Sequence, residues 1–181
     1  RQHFSLTEGI FLSLAMTSSC SSMFSINRCI IIKTSLRYRY VLGDRSYIMD
    51  QMSAWESFYR NNNRPWRGVS KVDDLPFPEG SHVLELGCGN GKTAIALTEM
   101  GLKVTGVDFS KSAIDMCSDI KGDVEFICSR VDSLPCSDDS FDGALAFHVL
   151  EHLDDKELKD AVSELRRVVK GGGHILIKVF S

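Results

Sequence analysis

From His82 to Phe180 short apolar runs alternate with longer segments whose apolar residues recur at helical spacing. No other feature constrains the fold as much. His82–Leu86, Lys103–Val107, Val124–Cys128, Phe141–Phe147 and Gly173–Phe180 read as strands, and about Asn90–Met100, Ser110–Ser118 and Asp155–Val169 read as helices. In the last helix Leu158, Ala161, Val162, Leu165, Val168 and Val169 repeat at helical spacing, and Gly171–Gly173 is expected to close it. Strands alternating with helices of this length build a parallel sheet through right-handed crossovers. The expected fold is therefore α/β, a doubly wound, Rossmann-like parallel sheet, with ligands bound at the carboxyl ends of its strands.

Upstream of this pattern the chain changes character. Residues 1–48 hold six basic and two acidic residues, leaving 15 basic and 22 acidic of the chain's 21 and 24 to residues 49–181. The first stretch is Ser-rich, as in Thr17–Ser22, shows little periodicity outside Cys29–Ile32, and begins with Arg. We expect residues 1–48 to be a leader, non-native or disordered, with an organelle transit peptide as the alternative. Residues 49–80 are expected to form an N-terminal lid helix over Asp50–Arg60 and a linker marked by Pro76, Pro78 and Gly80, and residues 81–181 the ligand-binding core. No apolar run approaches the roughly 20 residues that cross a bilayer, so a soluble, cytoplasmic protein is expected. Six cysteines at irregular separations without a CxxC pair suggest neither a zinc site nor a disulfide framework.

The chemistry begins at Val83–Thr93, VLELGCGNGKT, where an apolar strand runs through a glycine-rich turn into a helix. Gly87, Gly89 and Gly91 let the chain turn sharply and let a ligand approach the backbone without meeting a Cβ. Two phosphate-binding patterns fail here: the dinucleotide fingerprint meets Lys92 where its third glycine should fall, and the P-loop needs a glycine where Leu86 stands. What fits without a gap is an acid, Glu85, two residues before the first of three alternating glycines. That carboxylate would repel a pyrophosphate but suits a ligand carrying an ammonium group.

With ELGCGNG at Glu85–Gly91, VTGVDFS at Val104–Ser110, LPCSDDSFD at Leu134–Asp142, HVLEH at His148–His152 and LRRVVKGGGHILI at Leu165–Ile177, the chain resembles the class I S-adenosylmethionine-dependent methyltransferases over about Trp55–Phe180, in particular the small-molecule branch called methyltransferase type 11. The resemblance implies S-adenosyl-L-methionine as cofactor and assigns the methionine moiety to Glu85 and the Gly87–Cys88–Gly89–Gly91 loop. It assigns the ribose hydroxyls to Asp108, whose paired carboxylate oxygens match a vicinal diol. Phe109 would pack on the adenine, and Phe147 and His148 would border the methionine end. Family members commonly carry an acid that meets the adenine amino group, but here the register gives Ser129-Arg130-Val131. Asp132 or the Val131 backbone is expected to replace it. Trp66, in a loop beside Pro65 and Arg67, is the expected aromatic lid over the sulfonium.

HVLEH also fits an inverted zinc-protease motif, HxxEH, but the segment follows a strand directly and no third ligand is evident, so no metal is expected. No general base can be named from the sequence. The acidic body and the absence of a basic stripe disfavour nucleic acid, so the expected activity is methyl transfer to a small-molecule acceptor, with no membrane partner. The alternative is a non-catalytic cofactor-binding module or an inactive fragment, because relatives continue for two further strands where this chain stops at Ser181. With those strands missing, His174–Phe180 is expected to be an unpaired sheet edge.

Overall fold

The computed structural model describes residues 28–34, 46–68, 70, 72 and 74–180. The strands are β1 (Arg28–Thr34), β2 (His82–Leu86), β3 (Lys103–Asp108), β4 (Val124–Cys128), β5 (Phe141–Phe147) and β6 (Val169–Phe180). The helices are α1 (Ser46–Asn61), α2 (Lys92–Glu99), α3 (Lys111–Asp115) and α4 (Asp155–Val168), with a 3-10 turn at Leu150–His152. The six strands form one sheet in the order β1-β6-β5-β2-β3-β4, and every neighbouring pair is parallel. This is the expected doubly wound α/β architecture.

The two-residue period of the central strands divides their side chains between two cores. Leu84, Leu86, Val107, Ala144, Ala146, Ile175 and Ile177 pack with Leu158, Ala161, Leu165 and Val168 of α4. Val83, Val104, Leu145 and Leu176 point the other way and pack with Ala94 and Leu97 of α2 and with Phe77. Both faces of these strands are covered, which is why they read as nearly continuous apolar runs. Helix α4 starts on a capping box, with the Glu157 amide donating to Asp154 Oδ1 at 2.7 Å and the Asp154 amide donating to Glu157 Oε2 at 3.0 Å.

Four features depart from the sequence-based expectations. Helix α3 is shorter than Ser110–Ser118, because the amides of Met116 and Cys117 reach back only three residues, to Ala113 and Ile114, and tighten the last turn. The glycines Gly171–Gly173 do not end α4; they lie inside β6. There they absorb a register shift in which Phe141 pairs with Val169 but Gly143 pairs with His174. Finally, β6 is not an open edge. Residues 28–34 pair along it from Arg28–His174 to Thr34–Phe180, in the position where further strands were expected. Helix α1 begins at Ser46, so the expected boundary at residue 48 falls inside it.

Candidate functional site

The carboxyl ends of β2, β3, β4 and β5 open onto one cleft, roofed by α1. Its floor is the β2–α2 turn. Gly87 and Gly89 hold φ of +65° and +52°, in the left-handed region where only glycine is unstrained. They also sit where no Cβ fits: at Gly87 it would meet Val149 Cβ at 2.8 Å, and at Gly89 the Tyr59 hydroxyl at 2.5 Å. The turn is fastened from below, with the Cys88 amide donating to the Val107 carbonyl at 3.1 Å and the Gly91 amide to the Cys88 carbonyl at 2.9 Å.

Asp108 ends β3 beside this turn. Its Oδ2 accepts from the Gly89 amide and its Oδ1 from the Ser110 amide, both at 2.9 Å. Burial pushes its pKa upward, against the pull of those two donors. Ser110 in turn caps α3, its hydroxyl accepting from the Ala113 amide, so the Asp108–Ser110 segment starts a helix and lines the cleft as well.

Glu85 lies beneath the turn and is buried. Burial, with the charge of Asp108 as a lesser cause, pushes its pKa up to about 8, although the Thr93 side chain and the Ala94 amide bond to it. Its Oε2 has no partner among the described residues.

Of the residues expected in the site, Gly87, Asp108, Phe109, Val131, Asp132 and His148 line the cleft. Glu85, Cys88, Gly89, Gly91 and Phe147 are not on its wall; the first four support the floor, and Phe147 packs against the α2 side of the core. Cys88 is buried, and its thiol pKa is raised by the neighbouring Cys117 thiol and by burial. Trp66 does not line the cleft either. It is 47% exposed, its indole donating to the Tyr59 hydroxyl at 3.2 Å and its carbonyl accepting from Asn90 Nδ2 at 3.0 Å. These bonds hold it outside the roof.

The roof belongs to α1. Met52, Trp55 and Tyr59, at i, i+3 and i+7, face the cleft. Trp55 stacks against Tyr59 with the rings inclined by 29° and meets His152 edge-on, with centroids 6.1 and 5.4 Å away. One carboxylate docks this helix. Glu56 Oε2 accepts from the Ser110 hydroxyl and Oε1 from the Ser112 hydroxyl, both at 2.7 Å. Those bonds lower its pKa from 4.5 to about 2.

Arg130 holds the third wall. Its guanidinium makes two bonds to Asp132, at 2.9 and 2.7 Å, one to Glu157 at 2.6 Å, and touches Met52 Sδ at 3.0 Å. Both Asp132 oxygens are thus engaged by a cation, and Asp132 has a lowered pKa for that reason. On the opposite side His148, at φ +57°, places Nδ1 at 3.3 Å from Glu151 Oε1. The HVLEH segment is an irregular turn and a 3-10 turn, so its histidines do not share an α-helical face.

Sequence reasoning placed Trp55 on the lid helix, on one side with Met52 and Tyr59, but preferred Trp66 as the aromatic over the ligand; it missed Arg130, His152 and Glu157 as cleft residues. The signal for Arg130 was its place at the register of the usual acid.

Residues 84–177, more than half of the chain, match the family described as "Methyltransferase domain". An O-methyltransferase, resE, from Aspergillus sclerotiorum is 34% identical over 54% of the chain and 39% of its own length. A tRNA (carboxymethyluridine(34)-5-O)-methyltransferase from Arabidopsis thaliana is 39% identical over 58% of the chain and 25% of its own length. Among solved structures, an S-adenosylmethionine-dependent methyltransferase from Mesorhizobium loti aligns with a TM-score of 0.51 at 25% identity, covering 56% of this chain and 47% of that one. The chain thus spans less than half the length of these relatives. With the sheet order, the glycine turn and the strand-end acid in place, the chain belongs to the methyltransferase-domain family.

Proposed function

We propose that the protein catalyses S-adenosylmethionine-dependent methyl transfer to a small-molecule acceptor. The observation that carries this is the convergence of the acid-first glycine turn and Asp108 on one cleft. The residues present fit the cofactor. Gly87 presents its backbone to the cleft, and Gly87 and Gly89 pack so closely on Val149 and Tyr59 that neither position admits a Cβ. Asp108 spends one lone pair on each oxygen for backbone amides, which leaves one on each for a vicinal diol. The unpartnered Glu85 Oε2 beneath the turn suits an ammonium group, and Phe109 and Val131 flank the space for a planar base. Asp132, tied to Arg130, is poorly placed to accept from the adenine amine, which leaves the Val131 backbone for that task.

Bound there, the cofactor supplies a methyl group already activated on a sulfonium. The chain's own tasks are alignment and exclusion of water, for which the aromatic roof on α1 is suited. The excess of acidic over basic residues in 49–181 disfavours a polyanionic acceptor, and the names of both relatives specify an oxygen as the methylated atom. Calorimetry with S-adenosylhomocysteine tests the reading. Binding is expected, with no binding of NAD or ATP, and Asp108→Ala is expected to weaken it by about 1.5–3 kcal/mol for each hydroxyl bond lost. Unchanged affinity in that variant removes Asp108 from the site, and equal binding of NAD overturns the proposal.

A further inference from the structure

We propose that the Tyr59 hydroxyl donates to the carboxylate of the cofactor's methionine moiety and that Trp66 positions it, so that the anionic end of the cofactor is held by a neutral phenol and not by a cation. The inference rests on the methyl-transfer reading and assigns a group of the bound molecule that the glycine turn and Asp108 leave unmet. Tyr59 is a cleft-wall residue on α1, only 6% exposed, and its hydroxyl stands over the turn, where a Cβ on Gly89 would meet it. The Trp66 indole N–H donates to the Tyr59 oxygen at 3.2 Å. That bond occupies a lone pair, and the phenol's own hydrogen has no acceptor among the described residues. A buried donor left without an acceptor destabilises the fold, so an acceptor belonging to a bound molecule is called for. Burial pushes the Tyr59 pKa upward, against the pull of the Trp66 bond, which keeps the group a protonated donor.

The choice of a carboxylate follows from what the rest of the cleft already uses. In the turn, the Cys88 amide donates to the Val107 carbonyl, the Gly91 amide to the Cys88 carbonyl and the Gly89 amide to Asp108, so none of these three is open to a ligand anion. Among the described residues Arg130 is the one arginine or lysine on the cleft wall, and its guanidinium is engaged by Asp132 and Glu157. Asp108 is itself an acceptor, and the unpartnered Oε2 of Glu85 beneath the turn suits an ammonium. Of the two charged groups of a methionine moiety, the ammonium thus has its partner in Glu85. The carboxylate is left to the donor above the same turn, Tyr59. Trp66 does not line the cleft and acts through Tyr59: its N–H fixes the phenol oxygen and polarises the O–H bond, because linked hydrogen bonds strengthen one another. Asn90 Nδ2 donates to the Trp66 carbonyl at 3.0 Å, which ties the pair to the glycine turn. The Tyr59 ring is held between Trp55, which stacks on it, and Phe58, which meets it edge-on.

The test uses the full chain and calorimetry with two probes, S-adenosylhomocysteine and its decarboxylated analogue, in which a hydrogen replaces the carboxylate. Tyr59→Phe keeps the ring packing and removes the donor. It is expected to weaken S-adenosylhomocysteine about 10- to 100-fold and to change the affinity of the analogue by no more than about twofold. Trp66→Phe keeps an aromatic ring and loses the N–H; it should weaken S-adenosylhomocysteine by about two- to fivefold, spare the analogue, and add nothing in the Tyr59→Phe background. If Tyr59→Phe weakens S-adenosylhomocysteine by at least about fivefold more than the analogue, the proposal stands. A smaller difference overturns it, because packing of the roof would then account for the loss. Should the analogue bind too weakly to rank the variants, the pair of substitutions decides on S-adenosylhomocysteine alone: a Trp66→Phe loss of equal size in both backgrounds overturns the proposal, and a loss that vanishes with the Tyr59 hydroxyl supports it. Failure of the parent chain to bind S-adenosylhomocysteine is the separate outcome that overturns the methyl-transfer reading.

Discussion

The floor of the cleft is held by backbone, whereas its roof and side walls are held by side chains. On the floor, the Cys88 and Gly91 amides bond to main-chain carbonyls and the Gly89 amide to Asp108, and three glycines take left-handed φ. On the roof, α1 is docked through Glu56 to Ser110 and Ser112, through Met52 to Arg130, and through Trp55 to His152. The difference teaches where each wall can change. A backbone floor fixes the position of whatever lies on it and tolerates few substitutions, while a roof joined by single side chains can be retuned one residue at a time.

The largest expected effect lies under the floor. Glu85 has its pKa raised from 4.5 to about 8 by burial, so the native state favours its neutral form, and the stability this gives is present below pH 4.5 and lost as pH rises toward 8. At 1.36 kcal/mol per pKa unit the span is on the order of 3–5 kcal/mol. Glu85→Gln is expected to flatten the fall of Tm across that window and to be more stable than the parent at pH 8, yet to bind S-adenosylhomocysteine more weakly, because only the glutamate can ionise opposite the ligand's ammonium. Parallel Tm curves for the two proteins would show that Glu85 is solvated. Next comes Gly89→Ala, which combines a left-handed φ with the Tyr59 contact. It should cost about 1–3 kcal/mol and lift the roof, seen as faster hydrogen exchange in α1.

The roof itself should respond to acid. Glu56 has its pKa lowered to about 2, so its contribution is present above pH 4.5 and lost as pH falls toward 2. With its side chain 27% exposed, that contribution is about 1 kcal/mol after screening. Trp55 fluorescence in a Trp66→Phe background should change across that window and should not do so in Glu56→Gln. The smallest effect is expected for Arg130→Ala. Its side chain is 41% exposed, so the pairs with Asp132 and Glu157 are worth about 0.2–1 kcal/mol. The loss should shrink in 1 M salt; a salt-independent loss would mean that packing on Met52 matters more than charge.

The same division explains what could be read in advance. Backbone demands leave marks in the sequence: a strand buried on both faces is a run such as Val83–Leu86, a turn no Cβ can enter is Gly87-Cys88-Gly89, and a strand-end acid falls at a fixed distance, Asp108. The bounds of β2, β4 and β5 and the glycine floor were therefore legible. Side-chain walls leave no such mark, because Glu56 meets Ser110 across 54 positions and Arg130 meets Met52 across 78. Trp66 looked like the lid because it stands beside Pro65 and Arg67. Asn90 and Tyr59, which hold it outside, become its neighbours only once the chain is folded. The pairing of residues 28–34 was illegible for a related reason, since a short apolar run acquires a register only from its partner.

That pairing shapes how the molecule is made. Arg28–Thr34 meets His174–Phe180, so the first described strand finds its only described neighbour when the last described strand has been synthesised. Contacts of such long sequence separation form late and slowly. During translation the run Cys29–Ile32 emerges early and waits with its backbone donors and acceptors unpaired by the sheet, the state in which strands recruit other chains. Of all the segments described, this strand depends most on the nascent chain being shielded until the sheet can close beside β6.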